Sequence, residues 1–194
     1  MASIDTYVTE LIELATIYNN LAKCFSENPN HMPRCQEGLE IAAKKIYGDI
    51  SIDRDLVAKL HPIGIPLYES AYMGGDPIVL KATLGSLYRA FGVREVGEMS
   101  DHLSVELEFL SLILAKIAYA YIKGDRELAR EAIKALNIIY REHVLPWISR
   151  LEEAIKNRDN RSMKTIIEIL ERVLKEIDRY SSILASDNQY KHQP

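Results

Sequence analysis

The stretch EMSDHLSVELEFLSLILAKIAYAYIKG, residues 98–124, sets an acid and a histidine side by side, Asp101-His102, ahead of a long apolar run. One helical turn further on comes Glu106. At i, i+4 spacing, His102 and Glu106 share a helix face, a geometry that can hold a metal ion. The rest of a metal site is missing: the sequence contains no HExxH, no paired Glu-x-x-His and no cysteine pair at zinc spacing. The five histidines, at 31, 61, 102, 143 and 192, are scattered. The pair therefore reads as a hydrogen-bonded couple, with Asp101 capping the helix start and His102 satisfied by Glu106 or Asp101.

Nucleophilic chemistry finds no better footing. There is no G-x-S-x-G, neither cysteine has a suggestive setting, and MGGDP lacks the strand, lysine and helix start of a phosphate loop. No catalytic residue, metal or cofactor is expected, and binding is favoured over catalysis.

The elements that must position these residues are helical throughout. Ile4, Tyr7-Val8, Leu11, Leu14-Ala15, Tyr18 and Leu21-Ala22 form one stripe at three-and-four spacing. A second helix is predicted from about Cys35 to Tyr47, ending at Gly48, and a short third from Ser51 to Leu60. HPIGIPLYESAYMGGDP, residues 61–77, then packs three prolines and three glycines into an ordered loop or junction. Tyr68 and Tyr72 in it either plug the core or bind something.

Helices resume at Ile78–Phe91 and near Asp101, where Leu103, Leu107, Leu110, Leu114 and Ile117 make a core stripe. Another begins after Asp125, a predicted cap with Glu127 favouring the positive end, and another at LPWISRLEEAIKN, with Pro146 at a first-turn position. The last runs from about Arg161 to Leu184. The expected fold is all-α, one bundle of about eight helices over 1–185, with a frayed tail at 186–194. Asp125, Ile133 and Leu136 recur 34 residues later as Asp159, Ile167 and Leu170, the tetratricopeptide period, but that repeat's small and aromatic hallmarks are absent and the match reads as chance.

Composition bounds the function. The chain has 194 residues, 47% of them apolar, with a formal charge of −4. This suits one well-buried domain and argues against an electrostatic nucleic-acid binder. The N-terminus carries acids and no basic region, so it does not read as a secretory signal, and the greasiest run is too short for a membrane span. Cys24 and Cys35 flank SENPNHMPR; free thiols in a cytoplasmic protein are expected, although a bridge is possible. From Glu69 to Glu108 seven acids face three bases, so the whole net charge resides there. An acidic segment with a proline-rich aromatic loop suits capture of a basic, partly apolar peptide; the alternative is an ordinary solvated face.

PLYESAY, LYRAFGV, EMSDHLSVELEFLSLILAK and HVLPWISRL occur in the order and approximate spacing of the TorD/DmsD/NarJ family of redox-enzyme maturation chaperones, which this sequence resembles. The resemblance implies an all-helical, non-catalytic cytoplasmic chaperone for a molybdenum- or tungsten-containing oxidoreductase. Its partner would be that enzyme's twin-arginine leader, its apo catalytic subunit, or both, and it would act as monomer or homodimer. Carried over by motif, the partner-binding positions are Pro66, Tyr68, Glu69, Ser70, Tyr72, Asp101 and His102; helix geometry adds Glu106. In that picture Asp101 and His102 sit at an exposed helix start beside the tyrosines. Met99 stands where the family usually has proline, which implies a less rigid approach to the helix. The competing readings are a tetratricopeptide-like interaction scaffold and a helical metal-dependent enzyme.

Overall fold

A computed structural model of the chain describes residues 4–26, 28–48, 52, 65–94, 100–156 and 160–189. Within them the chain is all-α, as expected. The elements are α1 (Ile4–Ala22), α2 (Met32–Tyr47), α3 (Ser70–Met73), α4 (Pro77–Ala90), α5 (Leu103–Lys123), α6 (Arg126–Asn137), a π-helix (Ile138–Val144), α7 (Leu145–Lys156) and α8 (Arg161–Gln189). The helix expected at Ser51–Leu60, together with Glu95, Glu98, Met99 and Asp159, lies outside the described residues.

The core forms around α5, whose Leu103, Leu107, Leu110, Leu114 and Ile117 are all fully buried. α1 packs along it with Leu11, Leu14, Tyr18 and Leu21, and α6 lies on another side. α2 bridges α1 and α8, while α8 also packs on α7. Tyr18 crosses this core to donate from its hydroxyl to Val173 O at 2.8 Å. Burial pushes that phenol well above its usual range, so it remains a donor.

Four expectations need correction. First, Cys24 and Cys35 are joined in a disulfide, with Cα atoms 4.7 Å apart. Two short 3₁₀ turns, Lys23–Phe25 and Pro29–His31, fold the connection back so that both residues meet, buried, between α1 and α2. Compartment-based reasoning could not see that proximity. Second, α2 starts at Met32, because Pro33 lies inside its first turn, where a missing donor costs nothing. Third, α6 and α7 are not separate helices. The π-helix joins them into one continuous rod, with Leu145 N–H bonding Tyr140 O in the wide i−5 pattern immediately before Pro146. Fourth, α8 runs through Gln189, past the expected end at Leu184.

The caps at Asp125 and Gly48 occur as predicted. Asp125 Oδ1 accepts from Leu128 N–H at 3.0 Å, and Gly48 ends α2 at φ +83°.

α1 and α2 cross closely at Gly38. A Cβ there would lie 2.7 Å from Asn20 Cβ and 2.9 Å from Asn20 C. Alanine gains about 1 kcal/mol of helix propensity over glycine, but the clash is partly with backbone and cannot relax by a rotamer change. Gly38→Ala is therefore expected to destabilise by about 2 kcal/mol net, measured by chemical denaturation. For the disulfide, alkylation of denatured, unreduced protein is expected to label neither cysteine in the mass spectrum. Cys24→Ser with Cys35→Ser is expected to lower stability by about 3 kcal/mol, the loop-closure value for a ring of this size.

Candidate partner-binding site

The backbone of the 65–69 stretch lies antiparallel against the start of α5. Glu69 N–H donates to Asp101 O at 2.9 Å and Leu103 N–H to Leu67 O at 2.9 Å, an isolated β-bridge centred on Tyr68 and His102. Two exchanged hydrogen bonds thus fix a proline- and glycine-rich segment that has no regular ladder of its own. α3 follows at once and ends at Gly74 and Gly75, whose φ values of +71° and +88° reverse the chain towards α4.

Ser100 secures the other side of the bridge. Its carbonyl accepts from Tyr88 Oη at 2.8 Å, and its hydroxyl donates to Lys81 O at 3.0 Å, both from α4.

The cap at α5 differs from expectation. His102 is the N-cap: its Nδ1 accepts from Ser104 N–H at 3.3 Å and lies 2.8 Å from Ser104 Oγ. Accepting there leaves the ring hydrogen on Nε2. Asp101 turns away from the helix and accepts from Ser70 N–H at 3.3 Å through Oδ2. Neither residue is exposed, at 0% and 5% accessibility. The β-bridge turns both inward, contrary to the exposed helix start anticipated from sequence.

All eight candidate residues do converge on this junction, in two layers. Pro66 is exposed, and Tyr68, Ser70 and Tyr72 are half-buried; Glu69, Asp101, His102 and Glu106 are buried beneath them. Tyr68 meets the His102 ring edge-on at 4.9 Å. The described acids of the middle segment therefore divide between interior and surface. Three of its acids are internal, Asp76 caps α4, and Glu108 pairs with Lys23 at the surface.

The residues that sequence reasoning left without a role come from the π-helix and α7. His143 Nδ1 donates to Glu69, 3.0 Å from Oε2 and 3.2 Å from Oε1. Trp147 Nε1–H donates to Glu106 Oε2 at 2.9 Å while its ring stacks on Tyr72 at 5.7 Å. Arg150 donates to Tyr72 O at 2.6 Å, and Tyr72 closes the segment on itself through its hydroxyl to Pro66 O at 2.9 Å. Only the His-x-x-Pro-Trp motif hinted at them.

Electrostatically the buried layer is unbalanced. Burial first, and then the adjacent Glu69 carboxylate, push the Glu106 carboxyl well above the usual range; the Trp147 hydrogen bond opposes this and loses. Lys81 approaches Asp101 Oδ1 at 3.8 Å without a hydrogen bond to that oxygen. Among the described residues no group of three or more His, Cys, Asp or Glu is arranged to hold a metal ion.

The family model for the nitrate reductase delta subunit matches residues 57–153, half of the chain, a span that contains the bridge, the buried acids and the His-x-x-Pro-Trp junction. The chain belongs to the nitrate reductase delta subunit family. This bears out the resemblance to the TorD/NarJ type, and the family's members are chaperones of molybdoenzyme maturation, acting on nitrate reductase-type enzymes. No curated protein and no solved structure matches the chain significantly. Within this delta subunit fold no described helix is long and apolar enough to cross a membrane.

Because Asp101 and His102 are buried and bonded, Asp101→Ala with His102→Ala is expected to destabilise the protein by about 2–4 kcal/mol in chemical denaturation, from a lost cap and unpaired backbone donors. A loss of partner binding in that variant would therefore report on folding, and a surface variant has to carry the binding test.

Proposed function

We propose that this delta-family protein is a cytoplasmic chaperone that holds the twin-arginine leader of a molybdenum- or tungsten-dependent oxidoreductase, its apo catalytic subunit, or both, until the cofactor is inserted. One observation carries the reading. Pro66, Tyr68 and Tyr72 present an accessible, partly apolar surface directly above the buried carboxyls of Glu69 and Asp101. Aromatic faces accept guanidinium groups and apolar side chains, and acids beneath them bias the site towards cations. The buried acids act as a field under the surface; the tyrosines and proline make the contact.

The family assignment favours assembly over chemistry. Calorimetric titration with twin-arginine leader peptides from the protein's own genome tests the proposal, each beside a Lys-Lys counterpart. Saturable binding to one leader is expected, weakened by Lys-Lys replacement. Tyr68→Ala, confirmed folded by circular dichroism, is expected to bind about tenfold more weakly, roughly 1.4 kcal/mol. Binding to no leader, with capture of the apo subunit, would move the recognition to the enzyme body; binding to neither would overturn the reading.

A further inference from the structure

Glu106 sits where an ionised carboxylate is poorly served. It is fully buried, one oxygen accepts from Trp147, and the other, Oε1, has no hydrogen-bond donor facing it. The Glu69 carboxyl lies beside it and opposes a charge on it. Two carboxylates cannot hydrogen-bond each other, but a neutral acid can donate to a carboxylate. A proton on Glu106 would thus complete a chain running from Trp147 on α7, through Glu106 on α5 and Glu69 on the 65–73 segment, to His143 on the π-helix.

We propose that the proton on Glu106 is a latch that docks the 65–73 segment onto the π-helix and α7, and that ionising Glu106 releases the segment. Glu69 is the segment's only buried ionisable anchor, and the latch acts through it. The groups facing this centre account for the direction. From the segment come Glu69 and the Tyr68 and Tyr72 phenols, and from the start of α5 come Asp101 and His102. The basic side chains are committed elsewhere: His143 faces Glu69, Lys81 approaches Asp101, and Arg150 holds Tyr72 O. Among the described residues a second negative charge beside Glu69 therefore meets no uncommitted basic group, and swinging the segment outward is the available relief.

The sign follows from linkage. Burial disfavours ionised Glu106 in the folded state, so its contribution to stability is complete below the ordinary carboxylate range and is lost as pH rises through the folded titration. Release of one proton per opening makes the open fraction grow about tenfold per pH unit between the ordinary carboxylate range and the folded titration, and level off above it. Whether partner capture follows the same proton rests on the chaperone reading; the latch itself does not.

Trp147 is the chain's only tryptophan, and it touches both Glu106 and Tyr72, so its emission reports the latch without a label. The experiment is a pH titration of Trp147 fluorescence, run beside hydrogen exchange of the 69–73 amides on the full chain. Wild type is expected to show one emission transition above the ordinary carboxylate range, with protection factors at 69–73 falling about tenfold per pH unit along it. Glu106→Gln keeps an acceptor for Trp147 and supplies an N–H to Glu69, so it is expected to abolish both changes. An unchanged titration in folded Glu106→Gln overturns the proposal. If that variant does not fold, wild type decides alone: an emission change without loss of protection at 69–73, or no emission change, equally overturns it. Since no partner is present, such a failure would leave the chaperone reading standing, and failure of leader binding would leave the latch standing.

Discussion

The two backbone hydrogen bonds between residues 67–69 and 101–103 are the constraint from which the site follows. A segment with prolines at 66 and 77 and glycines at 74 and 75 has little capacity to fold by itself, because it lacks donors in some places and a restricted backbone in others. Borrowing the unpaired backbone groups just ahead of α5 satisfies both sides. Once Tyr68 lies opposite His102, the alternation of an extended backbone sends Glu69 inward, next to Asp101, and leaves Tyr68 half-exposed. The order of residues in Leu-Tyr-Glu-Ser is thus the order of a strand: apolar in, aromatic out, acid in.

That inward acid explains why so much of the surrounding polarity is internal. A buried carboxyl requires donors, and the bundle provides them from three different helices: His143 from the π-helix, Trp147 from α7 by way of Glu106, and the Ser70 amide at Asp101. Such a network ties the segment to the bundle more specifically than apolar packing does, because each acceptor admits few geometries. It also leaves one carboxyl oxygen on Asp101 and one on Glu106 without donors. Satisfaction is incomplete where three acids share one small volume, which is where a proton becomes a structural component.

The helical frame was legible because its signals are local. The stripes of α1 and α5, the Asp125 cap and the Gly48 terminator depend on residues within a few positions of one another. The family motifs likewise pointed to seven of the candidate residues, and helix geometry to the eighth, Glu106, all of which lie at one junction. What escaped is non-local. The exposure of Asp101 and His102 was misjudged because a helix start is ordinarily wet, and nothing nearby in sequence says that residues 67–69 will cover it. The cap passed from Asp101 to His102 for the same reason: Asp101 is diverted to a backbone amide 31 positions away. Cys24 and Cys35 meet only because the intervening turns reverse the chain.

The π-helix shows how one local irregularity connects these distant parts. Pro146 has no N–H, so a regular α-helix through it would leave a carbonyl unpaired and crowd the preceding turn. The π segment widens the rod just before that proline and lets the helix continue. His143 meets Glu69 and Trp147 meets both Glu106 and Tyr72. His-x-x-Pro-Trp is therefore one device: the proline favours the wide turn, and the wide turn aims the two rings. His143 and Trp147 stand at i, i+4 and share one face of the rod, so the two rings are presented together to the segment they hold.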